Sequence, residues 1–384
     1  MERLAEAKPP VEDKTAYLRE LTNGFERGQI FLTALELDVF SNLQTPLSAE
    51  ALAEKLETKA ALTMRFLDVL TGLKLLVKNN GMYCTAPDMA PFLVQGSPLF
   101  ARYLTFDVKA RDVWIRMKDI LQNGPAGESD EHERYQDQQD TRQWIDWMAS
   151  GSLLGRLQGV VRQLKELPEF AGARKLIDLG GGHGLFGIAF AQENPHLQVV
   201  IFDKPEVTPL TQTYIDRYGM GDRVSTLSGD YTADELGEDY DIVFEACSFC
   251  GNDQDYGSFY QRVRRVLKDN GLFVRLTFTL DDHRTGPLLS LVWDLRDHLS
   301  GHKKMPMRAN TEIFQLLADA GLTGEQVIDM STSCSIPMRM IIARKSPPCK
   351  APLYCHKPED EGKGPVGAEQ LDGRQPRAHH CPEA

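Results

Sequence analysis

The sequence predicts an α/β protein, with a parallel sheet covered by helices and a smaller N-terminal module of helices and a hairpin in front of it. Three observations predict this. A strand-like run breaks into glycines and then into a helix near residue 180. Three more strand-like segments follow it in alternation with helical ones. The first hundred residues carry helical periodicity that ends in a hairpin signal. A chain of 384 residues has room for about two domains, and a 42% hydrophobic composition supplies a core to each.

The glycine turn comes first in the argument. Lys175-Leu-Ile-Asp178 reads as a strand and Leu185 to Gln192 as a helix, with Leu179-Gly-Gly-Gly-His-Gly184 between them. Gly180, Gly182 and Gly184 let the backbone approach a ligand that a Cβ would exclude, and the helix start beyond them offers unpaired N–H groups. Tight turns without a ligand use glycine as well, so the neighbouring segments decide. The next strand, Leu197 to Phe202, ends on Asp203, where a carboxylate can accept hydrogen bonds from ribose hydroxyls. A third strand, Val224-Ser-Thr-Leu227, runs into Ser228-Gly-Asp-Tyr231 and puts Asp230 and an aromatic at the same end of the sheet, and Tyr240 to Phe244 makes a fourth. A lone Asp is usually a solvated loop residue. Three at the carboxyl ends of successive strands point to a nucleotide site.

In the N-terminal module, Tyr17 to Phe40 has apolar residues at helical spacing, Leu47 to Leu56 follows with Ser48 as its N-cap, and Leu62 to Leu73 makes another helix. Two short β-prone runs between Leu75 and Thr85 flank Asn80-Gly81, a type I′ hairpin signal. Helices followed by such a hairpin make a winged helix. With 43 Lys and Arg against 55 Asp and Glu, net charge −12, the surface repels phosphate, so duplex DNA is not expected as a partner.

In this order the segments resemble the class I S-adenosylmethionine-dependent methyltransferases over roughly Leu176 to Arg344. A dehydrogenase competes for the same glycines, but Gly181 and the Gly229-Asp-Tyr231 after the third strand favour the methyltransferase. With the N-terminal module included, the chain resembles the acetylserotonin and caffeic acid O-methyltransferases from about Tyr17 to Arg344. Leu35-Glu-Leu-Asp-Val-Phe40, Phe202-Asp-Lys-Pro-Glu206, Gly286-Pro-Leu-Leu289 and Leu316-Leu-Ala-Asp-Ala-Gly321 carry this likeness alongside the glycine turn.

The resemblance implies a Rossmann-like methyltransferase sheet with an N-terminal winged-helix dimerisation domain, S-adenosylmethionine as cofactor, a small-molecule acceptor and a homodimer. Asp178, Gly180, Gly181, Gly182 and Gly184 would form the cofactor loop, Asp203 would hold the ribose, and Asp230 with Tyr231 would flank the adenine. The expected organisation is a flexible start (1–16), the winged helix (17–100), connecting helices over the acceptor pocket (101–170), the cofactor-binding domain (171–345) and a disordered tail (346–384). In the connecting helices Trp144, Trp147 and Met148 lie at helical spacing. Most such aromatics are core, but the resemblance puts Trp147 within reach of an acceptor.

The tail is rich in Pro and Gly, and its Cys349, Cys355, His356, His379, His380 and Cys381 match no zinc spacing, so no metal is expected. The seven cysteines form no disulfide framework, no apolar run approaches the ~20 residues that span a bilayer, and the first ten residues lack a secretory pattern. An intracellular enzyme is expected, in the cytoplasm or an organelle.

The chain also departs from the family. Its relatives carry His-Asp-Trp after the fourth strand, and that His takes the acceptor hydroxyl's proton. Here Phe249 stands in its place, with Cys250 and Gly251 beside it. Thr277 replaces one carboxylate that would orient the His, and Met305-Pro-Met-Arg308 replaces the other. A general base is required only when the nucleophile must lose a proton. A thioether has none to lose, and its sulfonium product favours aromatic faces such as Phe249, Tyr231, Phe278 or Trp293. In this respect the chain resembles the family's thioether branch, S-methyltransferases that act on 4-methylthio-2-hydroxybutyrate toward dimethylsulfoniopropionate, which would imply such an acid as the acceptor. Such an acid needs a cation, for which Trp293's neighbours Arg296, His298 and Arg308 are candidates, with His298 or His302 for its hydroxyl. Their alternative is an exposed charged helix face. O-methylation of a phenol or indole, N- or C-methylation, and a non-catalytic cofactor-binding dimer remain open.

Overall fold

The computed structural model describes residues 15–101, 103–125, 138–249, 251–301, 307–334 and 336–345. The tail, its Cys and His residues, and the candidates Cys250 and His302 lie outside them.

Helix α1 (Thr15–Glu36) stops earlier than its periodicity suggests, because Asp38 adopts a left-handed φ of 49° before α2 (Val39–Asn42). Asp tolerates that conformation, and the break turns Val39 and Phe40 into the module's core. β1 (Leu47–Ser48) leads into α3 (Ala49–Lys55), capped by the Ser48 hydroxyl accepting from the Ala51 N–H at 3.2 Å. α4 (Ala60–Gly72) follows, then β2 (Leu76–Asn79) and β3 (Met82–Thr85). Asn80 and Gly81 have φ of 49° and 77°, the two positive values a type I′ turn demands. The small sheet runs β1-β3-β2, and Leu52, Leu67, Leu70 and Tyr83 pack beneath it. This is the expected winged helix.

The connection consists of α5 (Ala90–Leu93), α6 (Tyr103–Ile115), α7 (Met117–Asn123), α8 (Gln138–Gly151), α9 (Leu157–Lys165) and α10 (Pro168–Gly172). Between α8 and α9 lies an unanticipated π-type turn, Ser152–Arg156, in which Gly155 has φ 106°. A Cβ there would stand 2.7 Å from the Ser333 carbonyl oxygen, so glycine is required.

The large sheet holds β4 (Lys175–Leu179), β5 (Gln198–Asp203), β6 (Val224–Ser228), β7 (Tyr240–Ala246), β8 (Leu267–Phe278), β9 (Leu322–Asp329) and β10 (Met338–Lys345). Their order is β6-β5-β4-β7-β8-β10-β9, with β10 antiparallel to both neighbours and the first five strands parallel. α11 (Leu185–Glu193), α12 (Thr208–Arg217), α13 (Asp253–Val266), α14 (Leu288–Leu299) and α15 (Asn310–Asp319) complete the chain. β4 sends Leu176 to one core and Ile177 and Leu179 to the other, so each face of the sheet has its own apolar layer. Gly187 lets α11 lie close, since a Cβ there would meet Val199 at 2.9 Å. β4 has β5 on one side and β7 on the other, which makes its carboxyl end the switch point where such sheets bind ligands. No helix among the described residues is long and apolar enough to cross a membrane.

Candidate active site

The glycine turn leaves β4 at that switch point. Gly180, Gly182 and Gly184 all have positive φ (64°, 54° and 71°). The Gly182 N–H donates to Asp203 Oδ2 at 2.7 Å, the Gly182 carbonyl accepts from the Thr211 hydroxyl at 2.6 Å, and the other Asp203 oxygen accepts from the Lys204 N–H at 2.7 Å. Asp203 thus clamps the turn to the end of β5, and each of its oxygens keeps a further acceptor site.

Asp178, one residue before the turn, is buried, and among the described residues its Oδ2 has no hydrogen-bond partner. Burial first, then the neighbouring charges of Asp203 and Glu245, push its pKa up to about 8. An acid raised in the folded state is protonated there while the unfolded chain has already lost its proton. Its contribution to stability is therefore fullest below about 4 and is lost as pH climbs toward 8. Asp178→Asn has no proton to lose, so its melting temperature should gain on wild type progressively between pH 5 and 8. Parallel pH profiles for the two proteins in thermal melts would contradict this.

Beyond β7 the chain turns at Cys247, whose φ is 55°. Glu245, fully buried, accepts from the backbone N–H groups of Ser248 and Phe249, and its other oxygen lies 3.0 Å from Arg275 Nε in an ion pair off-axis for a hydrogen bond. Arg275 donates to the Phe249 carbonyl at 2.9 Å and to the hydroxyls of Tyr256 and Tyr260 at 3.0 and 2.9 Å. The Glu245 charge and the tyrosine hydroxyls hold its pKa well above the usual range against the opposing effect of burial. The fixed loop presses Ser248 against the glycine turn, where its hydroxyl donates to the Leu179 carbonyl at 2.9 Å and its carbonyl accepts from Tyr231 at 2.8 Å. Asp230 caps the Thr232 backbone and hydroxyl.

His183, inside the turn, is also buried. Its Nδ1 accepts from the Leu185 N–H at 3.0 Å, which leaves Nε2–H to donate to the Ser152 hydroxyl at 3.0 Å. Burial, then the nearby Arg156 charge, pushes its pKa down to about 3, so it stays neutral. Ser152 in turn donates to the Met148 carbonyl and accepts from Arg156. No motif or periodicity in the sequence singles out His183, Ser152, Arg156, Glu245 or Arg275.

Phe249 occupies a place different from the one expected. Its ring is 6% exposed, stacked on Phe259 at 4.3 Å and 9°, and edge-on to Tyr256. It belongs to the core on one face of the sheet, while Phe278 and Trp293, paired at 5.0 Å, adjoin the other. Of the three aromatics expected to share a pocket with it, Tyr231 lies nearby, at 6.5 Å. Thr277 is buried, and among the described residues its hydroxyl reaches only the Phe278 carbonyl, at 3.5 Å. Trp147 packs on Trp144 at 4.3 Å. Arg296 faces Asp107 at 3.6 Å and Asp297 at 3.9 Å, Arg308 faces Asp253 at 2.5 Å and lies over the Tyr256 ring, and the His298 Nδ1–H donates to the Asp294 carbonyl on its own helix. The two arginines proposed for an acceptor carboxylate thus already face carboxylates.

Comparison with known proteins places this architecture. A family model described as the O-methyltransferase domain matches residues 117–323, and one described as the O-methyltransferase dimerisation domain matches residues 19–95. The chain belongs to the O-methyltransferase family. It is a methyltransferase, and the methyl donor is S-adenosylmethionine. Among curated relatives, the uncharacterized protein MJ0086 of Methanocaldococcus jannaschii is 27% identical over 88% of this chain and 93% of its own. The N,N-dimethyltransferase OxyT of Streptomyces rimosus is 29% identical over 57% of this chain and 65% of its own. The crystal structure of human N-acetylserotonin methyltransferase in complex with SAM superposes with a TM-score of 0.70 at 22% identity, covering 89% of this chain and all of that one, which bears on the fold.

Proposed function

We propose that the enzyme methylates a small molecule without lending its acceptor a protein base, and that the acceptor is a thioether acid such as 4-methylthio-2-hydroxybutyrate, methylated on sulfur. One observation carries this reading. The position after β7 that would hold the base is Phe249, sealed in a core, and the carboxylate beside it, Glu245, is committed to Arg275 and to backbone N–H groups. S-adenosylmethionine supplies an electrophilic methyl group on a sulfonium. The chain's task is then to bind, to orient the acceptor and to keep water away.

The residues fit the cofactor. The glycine turn (180–184) gives a Cβ-free approach, Asp203 has acceptor sites left for ribose hydroxyls, and Tyr231 offers a ring beside Asp230 for the adenine. A second reading, N- or O-methylation of a substrate that arrives with its nucleophile already deprotonated, draws support from a relative named for N,N-dimethylation.

In the thioether reading kcat is flat between about pH 6 and 9, because no proton leaves in the transition state. Turnover of labelled S-adenosylmethionine across a panel of thioether acids, phenols, indoles, thiols and amines, read by mass spectrometry, identifies the nucleophile. A steep rise of kcat with pH, or a neutral ether as product, contradicts thioether methylation.

We further propose a homodimer built on α1 and its groove with α4. Tyr17, Leu18, Leu21 and Phe25 are exposed along one helix, and Ile30, Val69 and Leu73 line the groove. So many exposed apolar side chains on one module suit a twofold partner. Leu21→Glu with Phe25→Glu should convert a dimer to a monomer in light scattering at micromolar concentration. A wild-type monomer, or a dimer indifferent to both charges, would rule out this face.

A further inference from the structure

Helix α8 lies across the glycine turn. A Cβ at Gly182 would meet Ile145 Cδ1 at 3.5 Å, and the π-type turn that follows α8 carries Ser152, whose hydroxyl accepts from His183 Nε2 at 3.0 Å. The glycine turn is joined as closely to α12, where the Thr211 hydroxyl donates to the Gly182 carbonyl at 2.6 Å. Three residues further along α12, the Tyr214 hydroxyl donates to Asp146 Oδ1 at 2.8 Å. That bond ties α12 back to α8 and closes a triangle whose corners are the glycine turn, α8 and α12. The Tyr214 ring is also edge-on to His183 at 6.4 Å and carries the Arg217 guanidinium over its face at 5.5 Å. Burial, and then the bond to Asp146, raise the Tyr214 pKa well above its ordinary value, so the phenol keeps its proton and is the donor.

We propose that Tyr214 and Asp146 are positioning residues for the methyl donor: they hold α8 down on the glycine turn, and the spent cofactor leaves when that helix lifts. The inference rests on the glycine turn as the cofactor's seat and adds to it the contact that governs how long the cofactor stays. Of the three sides of the triangle, the Tyr214–Asp146 bond is the one made without an atom of the turn. It can therefore be cut without altering the seat. A hydroxyl bound to a carboxylate is stronger than a neutral pair, and here both side chains are half-buried, so the bond opens without exposing a core. With it cut, α8 remains pinned at its C-terminal end through Ser152, which stands between Gly151 and Gly155, and small residues at an element's end can absorb a hinge motion.

The test uses the full chain as wild type, Tyr214→Phe, Asp146→Ala, Asp146→Asn and the double variant Tyr214→Phe/Asp146→Ala, with S-adenosylhomocysteine as the probe. Stopped flow times its dissociation, calorimetry gives its affinity, and thermal melts follow the ligand-free chain. Tyr214→Phe and Asp146→Ala should each speed dissociation by about 5- to 10-fold and weaken affinity by a similar factor. Asp146→Asn keeps an acceptor oxygen for the hydroxyl and should stay within about threefold of wild type. The double variant should release the probe no faster than either single one, because both changes remove the same bond. Unchanged release and affinity in Tyr214→Phe overturn the proposal, even with a lowered melting temperature, since that is the result of a bond that serves stability alone. Effects that multiply in the double variant, or an Asp146→Asn as impaired as Asp146→Ala, overturn it as well. A wild type that does not bind S-adenosylhomocysteine, or a Gly180→Ala variant that binds it unimpaired, removes the seat itself and the proposal with it.

Discussion

Arg275→Met is expected to destabilise the enzyme by about 3–5 kcal/mol, enough to leave much of the chain unfolded at growth temperature. The substitution fills the volume but strands the Glu245 carboxylate in a site with no exposure to water. It also removes the donors that now serve the Phe249 carbonyl and two tyrosine hydroxyls. Glu245→Gln should cost a comparable amount from the other side, because it leaves the guanidinium uncompensated. The double variant Glu245→Gln/Arg275→Met should be less damaging than the sum of the two, since the second change removes the charge that the first exposes. Equilibrium unfolding in urea measures all three. Single-variant losses under about 1 kcal/mol, or strict additivity, would show that the pair is not coupled in this way.

Gly180→Ala should cut the affinity for S-adenosylhomocysteine by more than tenfold, while Gly182→Ala should do clearly less. Both positions have positive φ, so an added Cβ costs each about 1–2 kcal/mol of backbone strain. They differ in their surroundings. At Gly180 the new carbon would stand 2.3 Å from Ser248 Cβ, in the loop that Glu245 holds rigid, and 3.2 Å from the ring of Tyr231, whose hydroxyl donates to the Ser248 carbonyl. At Gly182 the nearest atom is Ile145 Cδ1 at 3.5 Å, an ordinary contact. The first substitution must therefore move either the glycine turn or the β7 loop, and the second need move neither. Calorimetry on the two variants decides the matter. Equal losses would mean that strain alone matters, and no loss in either would mean that the turn does not bind the cofactor.

What the sequence disclosed follows the range over which its signals act. Asn80-Gly81, the Ser48 cap and the run from Lys175 to Gly184 are local, and the structure has the hairpin, the cap and the strand-turn-helix where they were expected. The partnership of Glu245 and Arg275 spans thirty residues. Its only trace is a charged residue inside each of two apolar strands, and it becomes visible once the register sets them side by side. Arg156 was hidden for a different reason. A basic residue at helical spacing reads as a solvated face, and a π-type turn that rotates it inward leaves no mark in periodicity. Phe249 was misplaced because the residues just past a strand's end do not reveal which face of the sheet they will join.

The β7 loop is gripped by its main chain. Glu245 binds the N–H groups at 248 and 249, and Arg275 binds the carbonyl at 249, so neither contact depends on which side chain those positions carry. A scaffold of this kind separates the shape of the loop from its chemistry. A proton-accepting residue can be exchanged for an aromatic one without the loop losing its course, and the demand on the nucleophile changes while the cofactor's seat does not. On this view one buried ion pair fixes the course of the loop and leaves its side chains free to differ.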